Sequence, residues 1–143
     1  MEAVKRPARG TEVELRDAAM AAGKRAGCFY SHFPVGAAIR LKDGSIVSGF
    51  NWESPSYPCT ICAERMTIFT AIDTRDIKPG DVECIAIWGN TDGPISPCGM
   101  CRQVMMDALG PKTEVLLLDR DGLVYQTSVK DLLPGGFTKE DLV

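Results

Sequence analysis

Two short clusters in this 143-residue chain carry side chains suited to metal and proton chemistry: Cys62-Ala63-Glu64 and Pro97-Cys98-Gly99-Met100-Cys101. Three thiolates suit zinc, and a catalytic zinc takes three protein ligands while keeping a fourth position for water. Both clusters fall where helices are expected to begin. There, unpaired backbone amides and the positive end of the dipole stabilise a thiolate. Glu64 shares the first turn with Cys62 and so reaches the same cavity. Alone, a carboxylate there answers the helix dipole; beside zinc it is the candidate for moving protons.

The six cysteines also admit other readings. Cys59-x-x-Cys62 and Cys98-x-x-Cys101 together resemble a zinc ribbon, whose site is structural and closed. Residues 63 to 97 separate these pairs, a gap well beyond the roughly 15–20 residues of a ribbon. The intervening residues pattern as helix, strand and loop rather than as knuckles, and a thioredoxin-like redox pair fits no better. Cys28 and Cys84 stand singly at a helix end and in an apolar strand, and both read as small core residues. His32, the only histidine, would close zinc to water as a fourth ligand and is read as structural.

The elements that must position these groups follow from periodicity and turn chemistry. Thr11 and Glu14 form a capping-box pattern ahead of Leu15, Ala19, Ala22 and Ala26, which predicts a small-faced helix up to Gly27. Val35 to Leu41 and Ser45 to Asn51 are predicted strands around Lys42-Asp43-Gly44, with Asp-Gly supplying a tight turn. Pro55 and Pro58 mark a loop before a helix from Cys62 to about Asp73. Glu83 to Gly89 reads as a strand covered on both faces. Pro97 precedes a helix from Cys98 to Leu109, ended by Gly110-Pro111. Val115 to Leu118 and Leu123 to Thr127 flank Asp121-Gly122 as a further strand pair. Val129 to Leu133 is a short last helix before Pro134-Gly135-Gly136. The order α-β-β-α-β-α-β-β-α predicts a mixed sheet with helices packed on it.

Composition bounds the partners. With 45% hydrophobic residues and 143 positions, the chain buries enough surface for one domain without a disulfide framework. Residues 11–143 are expected to form that domain, after a flexible segment at residues 1–10. Sixteen Lys and Arg against 19 Asp and Glu leave a formal charge of −3, so no electrostatic track for nucleic acid or an anionic membrane is expected. Apolar runs such as Ile85 to Trp88 fall far short of the roughly 20 residues of a membrane helix. Met1 to Gly10 mix Lys5, Arg6, Arg9 and Pro7 without an apolar segment behind them and do not read as a secretory signal, so a cytoplasmic location is expected.

Cys62-x-Glu64 followed by Pro97-Cys98-x-x-Cys101 is the motif of zinc-dependent nucleobase deaminases, with Cys as first ligand. Phe33-Pro34-Val35-Gly36-Ala37-Ala38, Cys62-Ala63-Glu64-Arg65, Ser96 to Gln103 and Leu132 to Phe137 resemble the small cytidine deaminases in order and spacing. The resemblance implies a three-layer α/β/α fold around a central mixed sheet of about five strands. It implies one zinc per subunit on Cys62, Cys98 and Cys101, with Cys59 outside the ligand set. Arg65 is implied to donate hydrogen bonds to ligand sulfurs and so offset an all-thiolate site. The implied reaction is hydrolytic deamination of cytidine or deoxycytidine to uridine or deoxyuridine in pyrimidine salvage, with release of ammonia. In it, Glu64 takes a proton from a zinc-activated water, passes it to the ring nitrogen and then protonates the leaving amino group.

The same resemblance assigns substrate contacts. Asn51 and Glu53 are implied to hydrogen-bond the ribose 3′-hydroxyl, and Phe33 and Ala63 to line the nucleoside pocket. Tyr57 and Phe137 are implied to reach a neighbouring subunit's site, which makes the protein a homotetramer with shared sites. Ser54-Pro55 departs from the Asn-Ala commonly found there, and Trp52 is bulkier than the usual aliphatic residue. Both bear on the preference among cytidine, deoxycytidine and modified nucleosides. Two alternatives remain: a blasticidin-S-type antibiotic deaminase, whose members lack the glutamate of the Asn51-x-Glu53 pair, and a non-catalytic, zinc-stabilised binding module.

Overall fold

In the computed structural model, which describes residues 4–142, the most continuously apolar segments lie inside a sheet. β1 (Val35–Leu41), β2 (Ile46–Phe50), β3 (Val82–Gly89), β4 (Glu114–Leu118) and β5 (Val124–Ser128) are ordered β2-β1-β3-β4-β5. β3 occupies the centre and runs parallel to β4; every other pairing is antiparallel. Two-residue periodicity divides the strands between two cores. Ala37, Ile39, Ile85, Ile87, Val115 and Leu117 face one core, and Ala38, Ala86, Leu116 and Leu118 face the other.

Helices cover both faces, which gives the expected three layers. α1 (Glu12–Gly23) packs Leu15 and Ala19 on one face. α2 (Ala63–Arg75), α3 (Gly99–Ala108) and the short α4 (Val129–Leu132) cover the other through Ile68, Ala71, Met105 and Leu132. The small face of α1 has a packing reason. A Cβ on Gly36 would run into the carbonyl oxygen of Ala19 and the backbone of Gly23, so helix and strand approach as closely as backbones allow.

The entry to α1 differs from the capping box. Thr11 has helical backbone angles (φ −66°, ψ −14°) and its side chain makes no capping bond, because a capping side chain needs an extended N-cap residue. Glu12 serves instead, accepting from the Arg9 amide at 3.0 Å and from the Arg6 guanidinium at 2.7 Å. Residues 1–3 of the leading segment lie outside the described residues. Arg6 exchanges backbone hydrogen bonds with Val124 at 3.0 and 2.7 Å. Most other boundaries move by one or two residues, at α2 and α3 because Cys62 and Cys98 are N-caps rather than first helical residues; α1, expected to run to Gly27, ends at Gly23, because Gly27 instead bridges to Trp52.

One rim of the sheet gathers everything that follows. Val35 opposite Gly89 and Gly36 opposite Phe50 bring the start of β1 beside the ends of β2 and β3. From that rim the chain leaves β2 toward α2 and leaves β3 toward α3.

Candidate metal centre and active site

Cys62 and Cys98 occupy equivalent places, each an extended N-cap residue (ψ 152° and 165°) at the start of α2 and α3. Serine or aspartate usually fills this role; at α3 a sulfur does, the Cys98 Sγ accepting from the Cys101 amide at 3.4 Å, whereas the Cys62 side chain makes no capping bond. One turn into α3, Cys101 is fully buried. The Sγ atoms of Cys62, Cys98 and Cys101 lie within 4.8 Å of one another. Cys62 and Cys98 are 3.8 Å apart. Tetrahedral zinc with Zn–S bonds near 2.3 Å requires sulfurs about 3.8 Å apart, so the triad has the span and chemistry of a zinc site.

The surrounding charges agree with that assignment. Arg65 Nη2 donates to Cys62 Sγ at 3.4 Å. Its Nε is the only buried side-chain nitrogen or oxygen without a hydrogen-bond partner among the described residues. A buried donor left over beside three sulfurs fits a centre whose thiolates carry net negative charge. The Cys62 thiol is drawn down to about 5, first by the hydrogen bond from Cys101 and then by Arg65 and Cys98, against the cost of burial. Cys101 moves the opposite way, because its proton is given to Cys62 and the thiol is buried. A divalent cation held by the three sulfurs would favour the thiolate form of each.

Glu64 follows in the first turn of α2, almost completely buried at 4% exposure. Burial raises its carboxyl above the usual range, the Cys62 thiolate adds to this, and its own backbone amide and Arg65 oppose it. Such a carboxyl holds a proton more readily than an exposed one and gives it up when a basic atom arrives.

A cavity of about 410 Å³ opens onto this group, lined by Cys62, Ala63, Glu64 and Cys98 at its floor and by Phe33, Asn51 and Glu53 at its side. Asn51 and Glu53 also brace the wall. Asn51 Oδ1 accepts from the Val35 amide at 2.9 Å and its Nδ2 donates to the Phe33 carbonyl at 3.0 Å. Glu53 Oε1 accepts from the amides of Tyr30 and Ser31 at 2.9 and 3.0 Å. These amides hold the Glu53 carboxyl below its ordinary value, the hydroxyl and amide of Ser31 first. The segment carrying Phe33 is therefore hung from the end of β2.

Tyr57 and Phe137 do not line this cavity and are exposed, at 82% and 56%. Cys59 is also exposed, with its Sγ 3.5 Å from Ser56 Oγ and outside the sulfur triad. Cys84 is buried on the α1 side of the sheet, and burial pushes its thiol up. His32 sits in a left-handed turn (φ 55°), outside the triad. Sequence reasoning missed Ser31, Thr60, Ile95 and Ser96 as lining residues. Ser31 and Ser96 stand two positions before Phe33 and Cys98, where proximity to the motifs was the available signal.

Comparison with known proteins places the chain. The family profile described as the cytidine and deoxycytidylate deaminase zinc-binding region matches residues 11–117. A cytidine deaminase of Halalkalibacterium halodurans is 44% identical over 113 residues, 79% of this chain and 83% of that protein. One of Sporosarcina psychrophila is 44% identical over 115 residues, 79% of this chain and 81% of that protein. The crystal structure of cytidine deaminase from Burkholderia pseudomallei superposes with a TM-score of 0.85 at 44% identity, covering 90% of this chain and all (100%) of that one. With its Cys-x-Glu and Cys-x-x-Cys turns brought to a single three-sulfur centre, the chain belongs to the cytidine and deoxycytidylate deaminase zinc-binding family.

Proposed function

We propose that the protein hydrolyses the exocyclic amine of cytidine and deoxycytidine, with uridine or deoxyuridine and ammonia as products. The observation that carries this is Glu64, buried in the floor of a nucleoside-sized cavity between two of the three zinc-binding cysteines. When bound, zinc supplies a nucleophile at neutral pH by lowering the pKa of water. Glu64 takes one proton from the attacking water and delivers it to the ring nitrogen, then takes the second from the hydroxyl now on the ring carbon and gives it to the amino group, so that the C–N bond breaks, the carbonyl forms and ammonia leaves. Its raised carboxyl pKa suits both directions of transfer. Arg65, held on Cys62, limits the negative charge that three thiolates would place beside that carboxylate.

Phe33 packs one side of the pyrimidine, and Ala63, which has no bulk beyond Cβ, lets the ring reach the sulfur centre. Glu53 keeps its second carboxylate oxygen for the ribose 3′-hydroxyl, since Oε1 is committed to Tyr30 and Ser31. Asn51 shapes the same corner through Phe33 and Val35 and offers its remaining amide hydrogen. Tyr57 and Phe137, both exposed, complete the site of a neighbouring copy in a homotetramer. Six free cysteines, three of them ligands, suit a reducing cytoplasmic setting.

The deciding experiment measures ammonia and uridine-type product from cytidine, deoxycytidine and blasticidin S on one sample of known zinc content. Release from the two nucleosides is expected. Turnover of blasticidin S alone would replace this reading with that of an antibiotic deaminase, and no turnover by zinc-loaded protein would leave a binding module.

A further inference from the structure

The two residues that follow the ligand Cys101 in α3 do not line the cavity, yet together they donate five side-chain hydrogen bonds. The Arg102 guanidinium spans two backbones. Its Nε donates to the Pro97 carbonyl at 2.8 Å and its Nη2 to Ser96 Oγ at 2.6 Å, both in the turn that carries Cys98. Its Nη1 donates to the Leu132 carbonyl at 2.9 Å, at the end of α4. Gln103 Nε2 donates to Asp107 Oδ1 and to the Phe137 carbonyl, each at 2.9 Å. Between these two anchors the tail turns through Pro134 and Gly135, the latter in the left-handed region (φ 65°).

We infer that Arg102 and Gln103 are positioning residues that fasten the tail carrying Phe137 to the turn carrying Cys98, so that the metal turn and the tail move as one unit. A planar guanidinium makes three fixed bonds in two directions, which a lysine ammonium cannot reproduce. Both hydrogens of the Gln103 amide are used, and the Asp107 carboxylate fixes which way that amide points. The inference rests on the proposed deamination for its kinetic consequence, because a displaced Phe137 weakens nucleoside binding without touching Glu64.

The test uses the zinc-loaded full chain and two substitutions of Gln103. Gln103→Glu keeps the shape but turns an acceptor toward the Phe137 carbonyl and the Asp107 carboxylate. Gln103→Lys changes the shape but keeps a donor. For Gln103→Glu, amide hydrogen exchange over residues 133–138 should quicken about 10-fold and KM for cytidine rise by a similar factor, the effect of losing one good hydrogen bond. Zinc content should hold and kcat should stay within about twofold. Gln103→Lys should restore both values most of the way. Arg102→Lys should quicken exchange over the same residues and speed the loss of zinc to a chelator. Unchanged tail exchange in Gln103→Glu overturns the clasp whether or not cytidine is turned over. Equal damage in Gln103→Lys overturns the donor's role and leaves packing. If the wild type fails on cytidine while the exchange pattern holds, the proposed reaction is wrong and the clasp stands.

Discussion

The chain buries Glu64 where a carboxylate is least comfortable. At 4% exposure beside Cys62 it is held above the ordinary carboxyl range, a poise that removing the ionisable group abolishes. Gln preserves its size, so Glu64→Gln should bind zinc at the wild-type level and lower kcat by at least about 10³-fold, near the upper reach of general acid–base catalysis. Zinc analysis and single-turnover kinetics on the same preparation check this, and a zinc-loaded, active variant would sink the assignment. The cysteines separate as sharply. Cys59→Ser should retain the metal, because its exposed Sγ faces Ser56 and lies outside the triad. Cys101→Ser should lose it. Zinc lost from both variants would restore the ribbon pairing. The metal triad was legible in the sequence because ligand chemistry forces near neighbours into short motifs. The double duty of Asn51 was not, since its partners Phe33 and Val35 are 18 and 16 positions away and only pairing of β1 with β2 brings them together.

Among the elements, the contact of α1 with β1 carries the least tolerance. Gly36→Ala must push a Cβ against backbone atoms of Ala19 and Gly23, which cannot yield as a flexible side chain does. A loss of about 2–3 kcal/mol is expected, whereas Gly93→Ala meets open space and should stay within about 0.5 kcal/mol. Denaturant melts of the two variants test the difference. The Arg6–Glu12 pair ties the strand bridge at Val124 to the start of α1, with both side chains largely covered at 21% and 16% exposure. The Arg6 hydrogen bond lowers the Glu12 pKa. Its stabilisation is therefore complete above the unfolded carboxyl pKa, about 4.3, and fades as pH falls through the lower folded value. Glu12→Gln should cost about 0.5–1 kcal/mol at neutral pH, and the gap to wild type should narrow as pH falls below the unfolded carboxyl value and through the lower folded one. A gap that persists in acid would mean that the shape of the side chain, not its charge, caps the helix. The capping box expected at Thr11 failed on a backbone angle, which residue types alone do not specify.

Assembly follows from what a single chain leaves uncovered. Tyr57, Phe137, Phe29 and Trp52 are each about half exposed or more, a large apolar area for an isolated copy. Light scattering on a sizing column should give four copies, and Phe137→Ala should raise KM for cytidine more than it lowers kcat. A fully active monomer would remove the shared-site reading. No helix among the described residues is long and apolar enough to cross a membrane.

Residue order alone was enough for the zinc ligands, the α-β-β-α-β-α-β-β-α succession and the mixed sheet. Each of these is written in spacings of a few residues or in strand and helix periods. The tertiary structure decided what depends on distant segments meeting: β3 at the centre, the sulfurs of the two N-cap cysteines brought 3.8 Å apart, and Asn51 and Glu53 serving as braces. It also placed Arg102 and Gln103 across the gap to the tail. A hydrogen bond is directional and short, so its partners are known only once the fold has set both ends.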